Sequence, residues 1–243
     1  EAQRGERDRM VSVLYRTNSQ SRAIEDALMR EGIPYRIIGG VRFYERKEIK
    51  DSLAYLRLLI NPHDDVSFRR VVNVPARGIG KTVLESIEGI DPGSEDTSAP
   101  LFSQQDVEPT RRSQWARMKI AIERRLAPTR AMSSLTNFRD LITTLSDDIA
   151  DKSVSSALGL LLERSGYLRE LRDERSEEAE ARIENLMELV SAAREYETRE
   201  SDPTLGGFVD RLSLLSEADE ADGANEAKVW LMSMHAAKGL EFP

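Results

Sequence analysis

The spacing of apolar positions changes along the chain, and the changes mark out its organisation. MVSVLYRT, from Met10 to Thr17, and PYRIIGG, from Pro34 to Gly40, are short apolar runs with β-branched and aromatic residues, and both read as strands, the first of them buried. Ser19 to Glu31 and Glu45 to Ile60 read as helices, so the first part has the alternating grammar of an α/β layer. The middle is different. Trp115, Met118 and Ile122, then Phe138, Leu141, Ile142 and Leu145, then Val154, Leu158, Leu161 and Leu162 all recur at helical spacing. Ile183, Leu186 and Val190 continue the series, as do Leu205, Phe208, Val209 and Leu212, which predicts an all-helical region. VWLMSM, from Val229, returns to strand character. The order α/β, helical, then strand predicts one domain inserted into another: residues 1–62 and 223–243 form an interrupted α/β domain, and 63–222 a helical insertion. The fold class expected is therefore α/β with a large inserted all-α domain, mostly helical overall.

Two segments lack periodicity. GIDPGSEDTSAPLFSQQDVEPT is rich in Pro, Ser, Gly and Asp and is expected to be a mobile loop, and the acidic SEADEADGANEA is expected to be a second loop before the last strand.

GIGKT, from Gly78 to Thr82, resembles the end of a phosphate-binding loop, G-x-x-x-x-G-K-[ST]. The first glycine of that pattern would be residue 75, which is Pro75 and has no N–H to donate. The pattern should also follow a buried strand, whereas Phe68, Val71 and Val72 recur at helical spacing just upstream. A helix, a tight glycine turn and a second helix fit better. Pro75 closes the first helix, Gly78 and Gly80 permit positive φ, and Lys81 opens the second helix. Such a turn can aim unpaired N–H groups at a nucleic-acid phosphate, or it can simply be a turn; the local residues leave both open.

Composition narrows the classes. The 243 residues are 40% hydrophobic and 32% charged, enough for a sizeable core in one large or two ordinary domains. There is no Cys, which excludes a disulfide framework and a thiolate metal site. No apolar run approaches the roughly 20 residues needed to span a bilayer, so a cytoplasmic protein without a membrane partner is expected. A net charge of -8 argues against a wholly basic nucleic-acid coat but allows a local positive groove. Arg69, Arg70, Arg77 and Lys81 near the glycine turn, and Arg111, Arg112, Arg117, Lys119, Arg124, Arg125 and Arg130 further on, could supply it or could be solvated helix faces.

Taken together, VLYRTNSQSRAIEDAL, GIPYRIIGGVRFYERKEIKDSLAYLRLLINPHDD, VNVPARGIG, SGYLREL, ARIENLMELV and LMSMHAAKGLEFP resemble, in order and spacing, the second half of the UvrD/PcrA/Rep helicases. These are superfamily 1 motors that move 3′-to-5′ along single-stranded DNA. The resemblance is densest over Val11 to Gly80 and Val229 to Pro243 and loosest from Gly89 to Asp151. It implies a partial RecA-like second domain, 2A, interrupted by a helical domain, 2B. Because the chain opens in the charged run EAQRGERDR and stops at Pro243 just after AAKGLEF, it is expected to be a fragment of a longer helicase.

The resemblance also implies roles. Tyr15 would stack on adenine and Arg16 would reach the γ-phosphate as the catalytic cation, a chemistry suited to an aromatic face and a guanidinium. By themselves they could equally be a strand-end aromatic and a surface ion-pair residue. Glu241 would bind the ribose, and His235 and Lys238 would meet single-stranded DNA. Ser233-Met234-His235 stands where the family commonly has T-L-H, keeping the hydroxyl without the methyl. Arg77, Gly78, Ile79, Gly80 and Lys81 would grip duplex phosphates, with Arg164, Ser165 and Gly166 as a second duplex-contacting turn. ARIENLMELV is most simply a packed helix. The implied cofactors, ATP and Mg²⁺, belong to the full-length parent, since no phosphate loop or Mg²⁺-binding acidic motif stands here; none is expected on this chain alone. The implied partners are single-stranded DNA and the duplex junction, the missing first RecA-like domain, and repair or replication proteins. A stand-alone helical adaptor without motor activity is the alternative.

Overall fold

The computed structural model describes residues 11–91, 112–221, 229–238 and 240. It is mostly helical, with one small parallel sheet. The three strands are β1 (Val11–Tyr15), β2 (Tyr35–Ile38) and β3 (Val229–Ser233), in the spatial order β1-β3-β2. β3, the last strand in sequence, is central. Val229 pairs with both Val11 and Tyr35, and Leu231 with both Val13 and Ile37. Its Leu231 and Met232 are fully buried, as a strand covered on both faces should be. β1 is more open than the sequence suggests: Val11 is 50% and Leu14 47% exposed, and only Tyr15 is buried, because β1 is an edge strand of the described sheet.

Between β1 and β2 runs α1 (Ser21–Arg30); after β2 comes the helical body. It comprises α2 (Lys47–Ile60), α3 (Asp65–Val71), α4 (Lys81–Glu88), α5 (Gln114–Glu123), α6 (Thr129–Ile149), α7 (Val154–Arg164), α8 (Tyr167–Glu174), α9 (Glu177–Arg199) and α10 (Leu205–Ala221). Several starts follow from single capping residues. Asp64 accepts from the N–H groups of Val66 and Ser67, Ser113 from Ala116 and Ser176 from Ala179, each satisfying a first-turn donor. Glu177, Glu178 and Glu180 place negative charge at the positive end of α9.

α10 extends to Ala221, so the acidic segment begins as helix rather than as loop. Ser216 to Ala221 contains no breaker, and the first glycine of that stretch is Gly223; Glu and Ala carry the helix on. Residues 92–111 and 222–228, which hold most of the two expected loops and Arg111, lie outside the described residues. No helix among the described residues is long and apolar enough to cross a membrane.

Buried side chains form two clusters. A small one joins Tyr15, Tyr35, Val229 and Leu231 beneath α1. The large one runs through the helical body and includes Leu53, Tyr55, Leu56 and Leu58 of α2, which is buried over most of its circumference. By its packing α2 therefore belongs with the helices that follow it, although the apolar pattern grouped it with the strands.

The two clusters meet across a polar seam between α1 and α9. Arg22, 3% exposed, donates to Glu188 at 2.7 Å, to Glu195 at 2.7 Å and to Asp26 at 2.7 Å. Nearby, buried Arg46 donates to Asn185 Oδ1 at 2.7 Å, and the Asn185 amide donates to Glu48 at 2.6 Å. The Arg22 bonds hold the Glu195 carboxyl below its usual range. Replacing one partner of a buried charge pair typically costs about 3–5 kcal/mol because the other charge is left uncompensated. Glu188 and Glu195 are partly exposed and screened, so Arg22→Met is expected to cost about 3 kcal/mol, the low end of that range, against less than about 1 kcal/mol for Arg182→Met, whose pair with Glu174 is exposed on both sides. Urea unfolding of the two variants checks the ordering.

Candidate nucleic-acid interface

The segment between α3 and α4 is folded by side chains that precede it. Asn73 Oδ1 accepts from the N–H groups of Arg77 (2.7 Å) and Ile79 (3.1 Å), closing the chain on itself after the cis Val74–Pro75 bond. The Ile79 side chain, 1% exposed, plugs into the helical core. Gly78 has φ +76°, the left-handed region, whereas Gly80 has φ -85° and ψ -178° and caps α4 in an extended conformation. Positive φ is thus needed at Gly78 alone, which corrects the expectation for Gly80. The N–H groups of Arg77 and Ile79, expected to face a phosphate, are committed to Asn73. Those of Lys81 and Thr82, in the first turn of α4, have no acceptor among the described residues, as the first donors of a helix generally do not. Lys81 is 89% exposed and only loosely paired with Glu85, at 3.7 Å.

Arg77 departs furthest from expectation. Its side chain turns inward: Nη1 donates to the carbonyls of Val74 (2.8 Å) and Val71 (3.1 Å), and Nη2 to the Tyr55 hydroxyl (2.7 Å) and the Ser165 carbonyl (2.9 Å). The guanidinium lies 5.4 Å from the Phe138 ring centre and 5.9 Å from that of Tyr55. Its donors are therefore directed into the protein, not at a ligand. Burial pushes the Tyr55 phenol up to about 12, against the opposing pull of Arg77. Tyr55 in turn donates to the Val74 carbonyl.

The second turn, Arg164 to Gly166, lies beside the first. Gly166 has φ +83°, and a Cβ there would sit 3.8 Å from Pro75 Cγ. Ser165 is buried, its hydroxyl accepting from Tyr167 N–H at 3.3 Å, so its side chain shapes the turn and is not free for a ligand. Arg164, half exposed, pairs with Asp148 of α6. Folding thus brings the two predicted duplex-contacting turns together and leaves Lys81 and Arg164 as their outward cations.

A separate group gathers at the carboxyl ends of the parallel strands, where open α/β sheets place their ligands. Arg16, His235 and Lys238 are exposed there. The tips are tied to one another: Met234 N–H donates to the Tyr15 carbonyl at 2.9 Å, and a Cβ on Gly39, at φ +73°, would meet Ala236 Cβ at 3.0 Å. The Ser233 hydroxyl accepts from Ala236 N–H at 3.1 Å, so it organises the turn that carries His235. Tyr15 does not offer the open face expected of an adenine platform: it is 5% exposed, packed with Tyr35, Val229 and Leu231, and burial raises its phenol. Glu241 lies outside the described residues. Among the described residues the edge fits a nucleotide only in part, with the exposed Arg16 guanidinium and no open aromatic face. No group of His, Asp or Glu among the described residues could hold a metal ion.

A family model described as the UvrD-like helicase C-terminal domain matches residues 1–243. The chain belongs to that family. It is 38% identical over 238 residues to the ATP-dependent DNA helicase PcrA of Bacillus subtilis (strain 168), and 40% identical over 235 residues to the DNA helicase II of Haemophilus influenzae. It is 39% identical over 249 residues to the ATP-dependent DNA helicase UvrD1 of Mycobacterium tuberculosis. Each alignment takes in 96% of this chain and 30% of the relative, so this UvrD-like domain spans about a third of the length of the curated relatives it matches.

Several residues that build the UvrD-like site carried no sequence signal strong enough to single them out. Asn73 and Tyr55 shape the first turn, and Arg22, Arg46 and Asn185 join the layers. The available hint was Asn185 on the apolar side of the helix ARIENLMELV, where a polar group must find a buried partner.

The two glycines of RGIG now separate. A Cβ at Gly78 meets nothing nearer than Ser134 Oγ at 4.0 Å, and one at Gly80 meets nothing within 4 Å, so backbone conformation decides. Gly78→Ala is expected to cost about 1–2 kcal/mol, the penalty for an L-residue in the left-handed region, and Gly80→Ala roughly half of that or less. Thermal melting of both variants checks this.

Proposed function

We propose that the chain is part of an ATP-dependent 3′-to-5′ DNA helicase, contributing part of a RecA-like 2A domain and a helical 2B domain that grips duplex DNA. β1, β2 and β3 with α1 are the 2A portion. The packing of α2 with the helical core favours beginning the insertion before α2 rather than at residue 63. The central position of β3, reached only after the whole helical body, supports the insertion, because a strand between β1 and β2 completes one sheet from two distant segments. The names of the relatives support DNA and ATP as the ligands of the full-length protein.

The observation that carries the duplex role is the pairing of two glycine turns with Lys81 and the free first-turn N–H groups of α4 on their outer side. Backbone N–H groups and a solvated ammonium recognise a phosphate without reading bases. Affinity for a duplex with a 3′ single-stranded tail is expected to fall with salt and to be indifferent to sequence. Lys81→Ala should lower the slope of log affinity against log salt by about one unit, since each phosphate neutralised contributes roughly 0.9. A slope unchanged in a folded Lys81→Ala protein removes the duplex grip and leaves GIGKT as a turn between helices.

At the strand ends, Arg16, His235 and Lys238 form an exposed cationic edge suited to phosphates of a nucleotide or of single-stranded DNA. Arg16→Ala in the full-length protein is expected to reduce ATP turnover by about 10³ or more while leaving nucleotide affinity largely intact, the signature of a cation that meets charge developing in the transition state. Turnover retained, with single-stranded DNA affinity lost instead, would assign Arg16 to the DNA track. Absence of any ATP turnover in the full-length protein would favour the adaptor alternative.

A further inference from the structure

We propose that Arg77 is a positioning residue that staples the two glycine turns into one rigid duplex-facing surface, without itself touching DNA. The inference rests on the duplex-grip reading for its functional consequence, but its structural content stands independently.

The guanidinium joins parts of the chain far apart in sequence. Nη1 reaches the carbonyls that close α3, and Nη2 reaches the Ser165 carbonyl, which lies in the turn between α7 and α8. The Tyr55 hydroxyl from α2 and the Phe138 ring from α6 complete the enclosure. The Val74 and Ser165 carbonyls belong to the two turns themselves, and Tyr55 and Phe138 to the helices beneath them. No carboxylate among the described residues forms an ion pair with Arg77, so carbonyl dipoles, a phenol and two aromatic faces compensate its charge. A structural cation held only to stabilise the fold is ordinarily paired with an acid, as Arg22 is.

Only a planar fork suits this arrangement. Nη1 and Nη2 donate in two directions while the guanidinium carbon lies over the Phe138 and Tyr55 rings. A lysine ammonium is a compact point charge that cannot bridge the Val74 and Ser165 carbonyls at once and cannot lie flat against the rings. Arg77→Lys therefore keeps the charge and removes the staple. Without it the hydrogen bond that remains between the first turn and the segment after Gly166 is the long one from Ala76 N–H to Glu170 Oε1, at 3.4 Å.

The test uses the full-length protein and two readouts. Amide hydrogen exchange without DNA reports the coupling. In Arg77→Lys, Ile79 N–H and Tyr167 N–H are expected to exchange several-fold faster together, while the core of α9 around Leu186 is unchanged. Tyr55→Phe, which removes one partner of the guanidinium, should produce a smaller joint increase and serves as the test if Arg77→Lys folds poorly. Faster exchange at Ile79 alone, with Tyr167 unchanged in either variant, overturns the proposal. The second readout is binding of the tailed duplex across a salt series. Although net charge is preserved, Arg77→Lys is expected to lose about one unit of slope, because Lys81 and Arg164 no longer meet the same duplex together. If exchange is coupled but neither Arg77→Lys nor Lys81→Ala changes the slope, the staple stands and the duplex-grip reading fails. If Lys81→Ala changes the slope and Arg77→Lys does not, the staple has no part in binding and this proposal fails.

Discussion

Arg22 is a cation almost without contact with water, set among Asp26, Glu188 and Glu195, and the relation of the sheet to the helices depends on it. The cluster beneath α1 is small: four buried side chains and a handful of half-buried ones. Three strands and one helix bury too little apolar surface to stand firmly alone. Among the described residues their attachment to α9 is made through charge-assisted hydrogen bonds, with Met29 packing against both clusters. Arg46, Asn185 and Glu48 extend the same seam as a chain of bonds, beside which Glu25 Oε1 is buried without a hydrogen-bond partner. The geometry of such a network is demanding, because any misplaced member leaves an unpaired charge out of water.

Arg77 solves a related problem by different means. It is also drawn into the protein, yet its surroundings are carbonyls and rings instead of carboxylates. The contrast follows from position. Arg22 sits between two packed layers, where an unbalanced charge would be costly; Arg77 sits just under a surface whose outward groups are the loosely paired Lys81 ammonium and first-turn helix N–H groups without an acceptor among the described residues.

Much of the element pattern was legible in the residues. Strand, helix, strand and helix at the start, much of the long series of helices, and the final strand follow from short β-branched apolar runs and from the 3.6 period of the apolar positions. The rejection of the phosphate loop also holds in the structure, since Pro75 follows helix α3 and GIGKT opens helix α4. What periodicity could not assign is which face meets which neighbour. α2 has the same apolar spacing whether it covers a sheet or fills a helical core, and only its contacts show the second. Likewise Gly78 and Gly80 are identical in sequence terms, but one has positive φ and the other does not, because Asn73 draws in the N–H groups on either side of Gly78.

The sequence by itself determined the elements, the family and the identity of the exposed cations, because these depend on local spacing and on motifs that survive intact. Tertiary structure alone decided which polar side chains are spent on the protein. Tyr15 and Arg77 have the chemistry of ligand contacts, and each is drawn inward by partners lying well away along the chain: Tyr15 by Val229 and Leu231, Arg77 by the Tyr55 hydroxyl and the Ser165 carbonyl. A side chain's availability depends on its remote neighbours, and spacing along the chain carries no record of them.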